Sequence, residues 1–221
     1  MPEQWRFGCF NRAMLVHGAF VPPRAALDEL AEVVGSVRRS TVVEAVPARR
    51  FALRRTAELP TAPSVPALDD VPVPSMRMPI TRFGNLTTGD LHRITAAITE
   101  AAASWRPPVL CFSGATALEF PGDRSVWVKF AGDVDALTTI ARGVPQCVEP
   151  LGFFVDRRLF RPMLAIAEVT PATVAADLET VVDALNTFRG QDWTLDSVVL
   201  TSDSFVDGRT ATVEIERIPI G

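Results

Sequence analysis

A strand followed by a long amphipathic helix occurs twice in this chain of 221 residues. The two copies lie about 83 residues apart when Pro79 is set on Pro162. Each copy has an apolar strand that leads into a helix with one apolar stripe. The strands fall at 76–81 and 160–169, and the helical stripes at 91–105 and 174–185. Because each unit must bury one apolar face, the repeat predicts two similar α+β lobes that face each other.

The composition is that of a globular protein. Hydrophobic residues make up 48% and charged residues 22% of the chain, with a net charge of −4, which excludes disorder and a coiled coil over most of its length. No apolar run approaches the ~20 residues that a membrane helix needs, and the start lacks the features of a signal peptide. We therefore expect a cytoplasmic protein without a membrane partner.

The cysteines and histidines argue against a metal centre. Cys9, Cys111 and Cys147 are odd in number and widely spaced, so neither a disulfide framework nor a zinc knuckle is indicated. The chain has two histidines, His17 and His92. We expect no metal and no cofactor.

Two segments with a biased composition mark the domain organisation. Residues 57–75 contain five prolines and are predicted to form an extended loop. Residues 38–55 carry six arginines against one glutamate, which is typical of a strand pair with solvated arginines or of a surface that contacts phosphates. The predicted organisation is an N-terminal extension at 1–13 and a single bilobal domain at 14–221.

Four short strings, in order along the chain, resemble one known family. The most specific string, RLFRPMLAIA at 158–167, resembles the signature F-R-P-H-h-T-L-A, where h is apolar. The others are FGNL at 83–86, SVWV at 125–128 and WTLDSVVL at 193–200. On these strings the chain resembles the two-histidine (2H) phosphoesterase superfamily, in its branch of 2'-5' RNA ligases and RNA 2',3'-cyclic phosphodiesterases.

The resemblance implies an α+β, bilobal fold with two pseudo-symmetric antiparallel sheets flanked by helices around a central groove. It also implies two H-x-T/S strands, one per lobe, that line the groove. Residues i and i+2 of a strand project to the same face, so both side chains of each motif reach the ligand. In the family one histidine acts as general base and the other as general acid, while the hydroxyls hold the phosphate.

The chain departs from this pattern at both motifs. In the second signature, Met163 occupies the histidine position and Ala165 the threonine position. In the first, counting back from Gly84 puts Arg77 at the histidine position and Pro79 at the threonine position. None of these four side chains is a general acid or base at neutral pH. We therefore predict no catalytic residue of the family type.

The resemblance implies a ligand-binding groove, and the residues predicted to line it come from the strands that carry the four strings. They are Arg77, Pro79, Thr81, Trp127, Lys129, Arg161, Met163 and Ala165. Arg77, Arg161 and Lys129 could contact a phosphate, and Trp127 could stack on a base. Equally, Arg161 could bridge loop carbonyls, and Trp127 could belong to the core.

Other groups could supply acid–base chemistry. His17, in the first predicted strand, either faces the groove or packs in the core, and His92 is expected on a helix surface. The carboxylates considered are Glu119, Asp156 and Glu168, which nothing in the sequence pairs. Cys111 is expected to be a buried, inert thiol.

Three hypotheses for the function follow. The first is a non-catalytic member of the family that binds a nucleotide or an RNA phosphate end in the groove. The second is a phosphodiesterase acting on 2',3'-cyclic phosphates or 2'-5' linked RNA with relocated acid–base residues. The third is a protein-interaction module, in which the groove is closed and the Arg-rich and Pro-rich segment from Arg38 to Pro74 binds a protein partner.

Overall fold

The computed structural model describes residues 14–44, 66–156, 158–206 and 209–221. Within these ranges the chain forms nine strands, four α-helices and two short 3-10 helices. The strands are β1 (Met14–Phe20), β2 (Leu68–Asp70), β3 (Met78–Leu86), β4 (Val109–Ala117), β5 (Ser125–Gly132), β6 (Met163–Val169), β7 (Trp193–Thr194), β8 (Ser197–Val206) and β9 (Arg209–Pro219). The helices are α1 (Arg24–Glu44), α2 (Thr88–Ala102), α3 (Val134–Val148) and α4 (Ala175–Thr187).

The strands form two antiparallel sheets. The first sheet has the order β3-β1-β8-β9, and the second has the order β2-β6-β5-β4-β7. All pairings within both sheets are antiparallel. β3, at the edge of the first sheet, also contacts β6 of the second. The two strands that resemble the family signatures therefore lie next to each other, and the predicted α+β class with two antiparallel sheets is confirmed.

The helices cover the apolar sides of the sheets. α2 contacts α3 and β9, while α4 packs on β4 and contacts α1. One continuous set of buried apolar side chains joins the helices to both sheets. No helix in the described part of the chain has the length and apolar character needed to cross a membrane.

The two segments of biased composition differ from their predictions. The predicted strand pair at 38–55 is wrong over 38–44, which continue α1, and residues 45–55 lie outside the described ranges. The β-branched run at 41–43 favours a strand locally, but here the helix that begins at Arg24 continues through it.

The Pro-rich loop predicted at 57–75 contains regular structure in its described half. Residues 68–70 form β2 and residues 73–75 form a 3-10 helix. β2 lies between prolines at the edge of the second sheet, where Leu68 is buried opposite Val169. An edge strand of three residues tolerates prolines on both sides because it pairs along one side only. The predicted N-terminal extension at 1–13 lies outside the described ranges.

The N-terminus of α2 gives a first testable prediction. Thr87 and Asp90 form a reciprocal capping box, in which the Asp90 amide donates to Thr87 Oγ1 and the Thr87 amide donates to the Asp90 carboxylate. Thr87→Ala removes an acceptor from the first turn and is expected to lower the free energy of unfolding by about 1 kcal/mol. Urea denaturation measures the change.

Thr99→Ala is the matched control for this variant. Thr99 is exposed within the same helix, and its hydroxyl donates to the carbonyl of Thr95. Because alanine has the higher helix propensity, we expect no loss of stability in Thr99→Ala. Equal losses in both variants would contradict a specific capping role for Thr87.

Candidate functional site

The first sheet carries a cavity of about 250 Å³ beside the strand that resembles the first signature. Its lining comes from β1, from the end of β8 and from the segment that leads into β3. The residues are His17, Gly18, Ala19, Ser75, Arg77, Pro79 and Asp203. The two positions that the resemblance assigns to the first motif, Arg77 and Pro79, therefore share one cavity with His17.

Strand alternation explains which side chains face this cavity. On β3, Met78 and Ile80 are buried towards the helices, while Pro79 between them is exposed. On β1, Val16 and Phe20 are fully buried, and His17 projects to the other face. The cavity thus lies on the side of the sheet opposite the helix-facing core.

A chain of polar contacts joins four side chains at this cavity. Arg77 Nη2 donates to Thr212 Oγ1 at 2.6 Å, and Thr212 Oγ1 donates to Asp203 Oδ1 at 2.8 Å. The other oxygen, Asp203 Oδ2, lies 3.3 Å from His17 Nε2, which is an ion-pair distance. A guanidinium, a hydroxyl, a carboxylate and an imidazole are thus held in one array that spans three strands and the residue before β3.

The array favours a neutral imidazole. Burial lowers the pKa of His17, and the positive charges of Arg82 and Arg77 lower it further, whereas Asp203 opposes them. The His17 side chain is 17% exposed and its Nε2 atom is buried, so the exposed part belongs to the rest of the ring. The surroundings of His17 therefore favour the neutral form of the ring, part of which is accessible.

The second sheet presents a different surface at the second signature. Met163 and Ala165 are half-buried, while Leu164 and Ile166, on the other face of β6, are fully buried. The cross-strand partner of Met163 is Lys129. The Met163 and Ala165 side chains offer neither a proton nor a hydrogen bond, so this half of the predicted site is apolar with a cation at its edge.

Two of the predicted binding residues have internal partners. Trp127 Nε1 donates to Asp123 Oδ2 at 2.6 Å, and the Trp127 ring lies edge-on to Phe120, 6.4 Å between centroids. Arg161 Nη1 donates to the carbonyls of Arg158 and Phe160, and its guanidinium lies 4.9 Å from the centre of the Phe120 ring. Arg161 thus bridges loop carbonyls and stacks on an aromatic ring.

The structure does not place Thr81 with the other predicted binding residues. Thr81 is fully buried, and its hydroxyl donates to the carbonyl of Asp156 at 2.9 Å. Strict alternation from Arg77 and Pro79 puts residue 81 on their face. A register shift opposite Gly18 and Ala19 interrupts the pairing of β1 with β3, so Ile80 and Thr81 are both buried.

The other acid–base candidates do not converge on this cavity. His92 is exposed on α2, and Glu168 is exposed on β6. Glu119 Oε2 accepts a hydrogen bond from Thr116 Oγ1, and Asp156 Oδ1 accepts one from the Arg158 amide. Cys111 is buried, and its burial raises the pKa of the thiol, as expected for an inert cysteine.

Sequence reasoning missed Asp203 and Thr212. Both belong to the hairpin of β8 and β9, far along the chain from the signature strings, and neither forms part of a motif. A signal was present in the pairing of β1 with β8, which sets His17 opposite Thr201, two residues before Asp203. That register becomes visible only once the sheet order is known.

Several solved structures share the fold of this chain. TT0787 of Thermus thermophilus aligns with a TM-score of 0.57 and 15% identity, covering 94% of this chain and 98% of that chain. E. coli LigT complexed with NADP+ aligns at 0.57 and 14%, covering 95% and 98%. E. coli LigT complexed with ATP aligns at 0.58 and 12%, covering 94% and 98%.

When sequences are compared, no family model and no curated protein matches the chain. At these identities the alignments establish the fold. They extend over nearly the whole length of both chains and agree with the two antiparallel sheets and the helices described above. The chain therefore has the LigT-like 2H phosphoesterase fold.

Proposed function

We propose that this protein is a non-catalytic relative of the 2H phosphoesterases that binds a nucleotide or an RNA phosphate end. The observation that carries the proposal is the set of residues that line the cavity on the first sheet. It holds an arginine where the family places its first histidine, next to a histidine contributed by a neighbouring strand. The cavity is thus equipped to hold an anion and lacks the paired histidines that would transfer protons on both sides of a phosphate.

The charges at the cavity favour a phosphate ligand. Arg77 uses Nη2 to reach Thr212, and its other contact, to the carbonyl of Ser75, is long at 3.5 Å. A guanidinium has five N–H donors, so Arg77 retains donors for a ligand. Arg82 is exposed on β3 opposite His17 and adds a second positive charge nearby. The single carboxylate, Asp203, is already bound by Thr212 and faces His17.

The fold neighbours make nucleotides the first ligands to test. The two LigT structures compared above are complexed with NADP+ and with ATP, and a third is complexed with 3'-AMP. A nucleotide has a charged part and a flat, less polar part, which would match the polar cavity of the first sheet and the apolar side chains of the second. Its phosphate would meet Arg77, and its base would meet the apolar side of β6 at Met163 and Ala165.

Binding of ATP and 3'-AMP, measured by isothermal titration calorimetry, tests the proposal. We expect saturable binding that weakens with added salt, because the main contact is ionic. Arg77→Ala is expected to weaken binding about 10-fold to 100-fold, the effect of losing one charge-assisted hydrogen bond of ~1.5–3 kcal/mol.

Arg106→Ala is the matched control for the loss of charge. Arg106 is an exposed arginine in the loop between α2 and β4, away from the residues that line the cavity. Its removal changes the net charge by the same amount and is expected to leave affinity within about twofold, as for a screened surface charge. No binding of either nucleotide, or equal losses in both variants, would contradict the proposed site.

A second candidate function is favoured by the contact between His17 and Asp203. A carboxylate that orients an imidazole is a common arrangement for general-base catalysis, so the cavity could house a relocated acid–base group. We rank this candidate second because one imidazole cannot deprotonate the attacking water and protonate the leaving oxygen in the same step. A hydrolytic activity that is lost in His17→Ala would establish it.

A further inference from the structure

A second cavity, of about 570 Å³, lies on the opposite side of β3. Ile80 contributes to its wall from the helix-facing side of the strand, whereas Pro79 faces the cavity at His17. Its other walls come from α3 and from the segment that leads into β6. The lining residues are Ile80, Thr138, Ala141, Arg142, Pro145, Gln146, Phe160 and Pro162. This cavity is therefore separate from the site proposed above, and its volume is within the usual range for small-molecule sites.

α3 supplies the polar wall of this cavity. Thr138, Arg142 and Gln146 follow each other at intervals of four residues, so they form one row along the helix. Arg142 is exposed, and no carboxylate within the described ranges lies at ion-pair distance from it. A guanidinium that has no acidic partner among the described residues and lies beside a cavity favours an anionic group on a ligand.

A break in the helical hydrogen bonding adds an acceptor at the same place. Pro145 lies inside α3 and has no amide hydrogen, so the carbonyl of Ala141 lacks the donor that residue 145 supplies in a regular helix. Both Ala141 and Pro145 line the cavity. A ligand that carries an N–H or O–H group could satisfy this carbonyl.

The opposite wall is apolar and packs against the core. The Phe160 ring packs edge-on against Phe20, with 6.1 Å between centroids and an interplanar angle of 89°, and Phe20 is fully buried. Pro162 and Ile80 continue this wall. A flat apolar body could lie against Phe160 while its anionic group reaches Arg142.

We propose that the α3 cavity binds a small aromatic acid that carries a hydrogen-bond donor beside its ring. Arg142 pairs with the acid group, Phe160 and Pro162 contact the ring, and the Ala141 carbonyl accepts from the donor. This site is additional to the phosphate site at Arg77 and does not depend on it.

The probe 1-anilinonaphthalene-8-sulfonate has all three features, namely a sulfonate, aromatic rings and an amine N–H. Fluorescence titration of the folded, full-length chain is expected to show one site per chain. Arg142→Gln is expected to weaken binding about 10-fold or more, because it removes a charge-assisted contact. Thr138→Trp, which fills the cavity from a half-exposed position, is expected to abolish binding.

Arg106→Gln controls for charge and is expected to leave the affinity for the probe unchanged. Circular dichroism checks that each variant is folded; should Thr138→Trp unfold, Arg142→Gln decides alone, since Arg142 is exposed. Several probe molecules per chain, or one whose affinity Arg142→Gln does not change, would overturn the proposal and indicate exposed apolar surface such as Phe154, which is 72% exposed.

Cross-testing the two sites keeps the proposals distinguishable. Arg77→Ala is expected to leave the affinity for the sulfonate probe unchanged, and Arg142→Gln to leave the affinity for ATP unchanged. ATP binding that is weakened by Arg142→Gln alone would move the nucleotide to the α3 cavity and overturn both assignments. Probe binding that follows these expectations while ATP fails to bind would support this site and contradict only the proposed function.

Discussion

Adenosine 2',3'-cyclic phosphate incubated with the purified protein is expected to remain intact. A positioned general acid or base typically contributes about 10²-fold to 10⁴-fold, and groups that act as a unit lose nearly the whole effect together. Arg77 and Met163 occupy the two positions that the resemblance assigns to these groups. We therefore expect a rate at least about 10⁴-fold below that of a two-histidine enzyme.

Chromatographic separation of the cyclic nucleotide from its ring-opened monophosphate measures this rate. A catalytically active 2H phosphoesterase in parallel sets the detection limit, and circular dichroism of the same samples shows that the protein is folded. Turnover that is abolished in His17→Ala would contradict the non-catalytic proposal and support the pair of His17 and Asp203 as a relocated acid–base group. Turnover that survives in His17→Ala would indicate a contaminating enzyme.

Introducing histidines at the two motif positions alone is not expected to produce cyclic phosphodiesterase activity. In Arg77→His with Met163→His, the neighbouring positions still carry Pro79 and Ala165, which cannot donate to a phosphate. The first substitution also removes the guanidinium that donates to Thr212 and so disturbs the contact to Asp203. The residues around these two positions therefore also differ from what the resemblance implies for an active site.

The α+β class could be predicted from local, repeated patterns in the sequence, whereas the two antiparallel sheets were expected from the family resemblance. The apolar alternation at 76–81 and the helical stripe that follows it recur in the second half. β3 overlaps the predicted strand at 76–81 but continues to Leu86, and β6 covers 163–169 of the strand predicted at 160–169. Residues 38–44 show the limit of local reasoning. Their β-branched run favours a strand, yet residues 38–44 form the last part of α1, which begins at Arg24. Adding residues to an existing helix costs less free energy than starting a new one.

The candidate site could be predicted only in part, since its contacts are not local. Arg77 and Pro79 were placed by counting from a motif, and the structure brings both to one cavity. Asp203 and Thr212 reach the same cavity through the pairing of β1, β8 and β9, a register that no periodicity reveals. Thr81 was misplaced for a related reason, because a register shift opposite Gly18 and Ala19 puts it on the buried side of β3, and a second shift follows opposite Val16 and His17.

The two halves of the predicted groove differ in character. On the first sheet, Arg77 donates to Thr212, Thr212 donates to Asp203, and Asp203 lies at ion-pair distance from His17. On the second sheet, the corresponding positions carry the apolar side chains Met163 and Ala165. Charged and titratable groups cost desolvation free energy when they are half-buried, and this cost falls on the first sheet.

Gly132→Ala is expected to produce the largest loss of stability among conservative glycine substitutions here. Gly132 ends β5 at φ +100°, and a Cβ atom there would overlap the carbonyl oxygen of Val109, a backbone atom that also accepts a hydrogen bond from the Asp133 amide. A left-handed conformation costs a residue with a Cβ about 1–2 kcal/mol, and overpacking adds about 1–3 kcal/mol. The free energy of unfolding should therefore fall by about 2 to 5 kcal/mol.

Gly122→Ala separates the two contributions. Gly122, in the turn between β4 and β5, also has a positive φ of +78°, but no atom lies within 4 Å of the position of its Cβ. Only the conformational cost applies there, so we expect a loss of about 1 kcal/mol, reduced by the lower entropy of the unfolded chain. Guanidinium denaturation of both variants gives the comparison. Equal losses would mean that β4 can move away from residue 132, and the close approach of β5 to Val109 would then not constrain the second sheet.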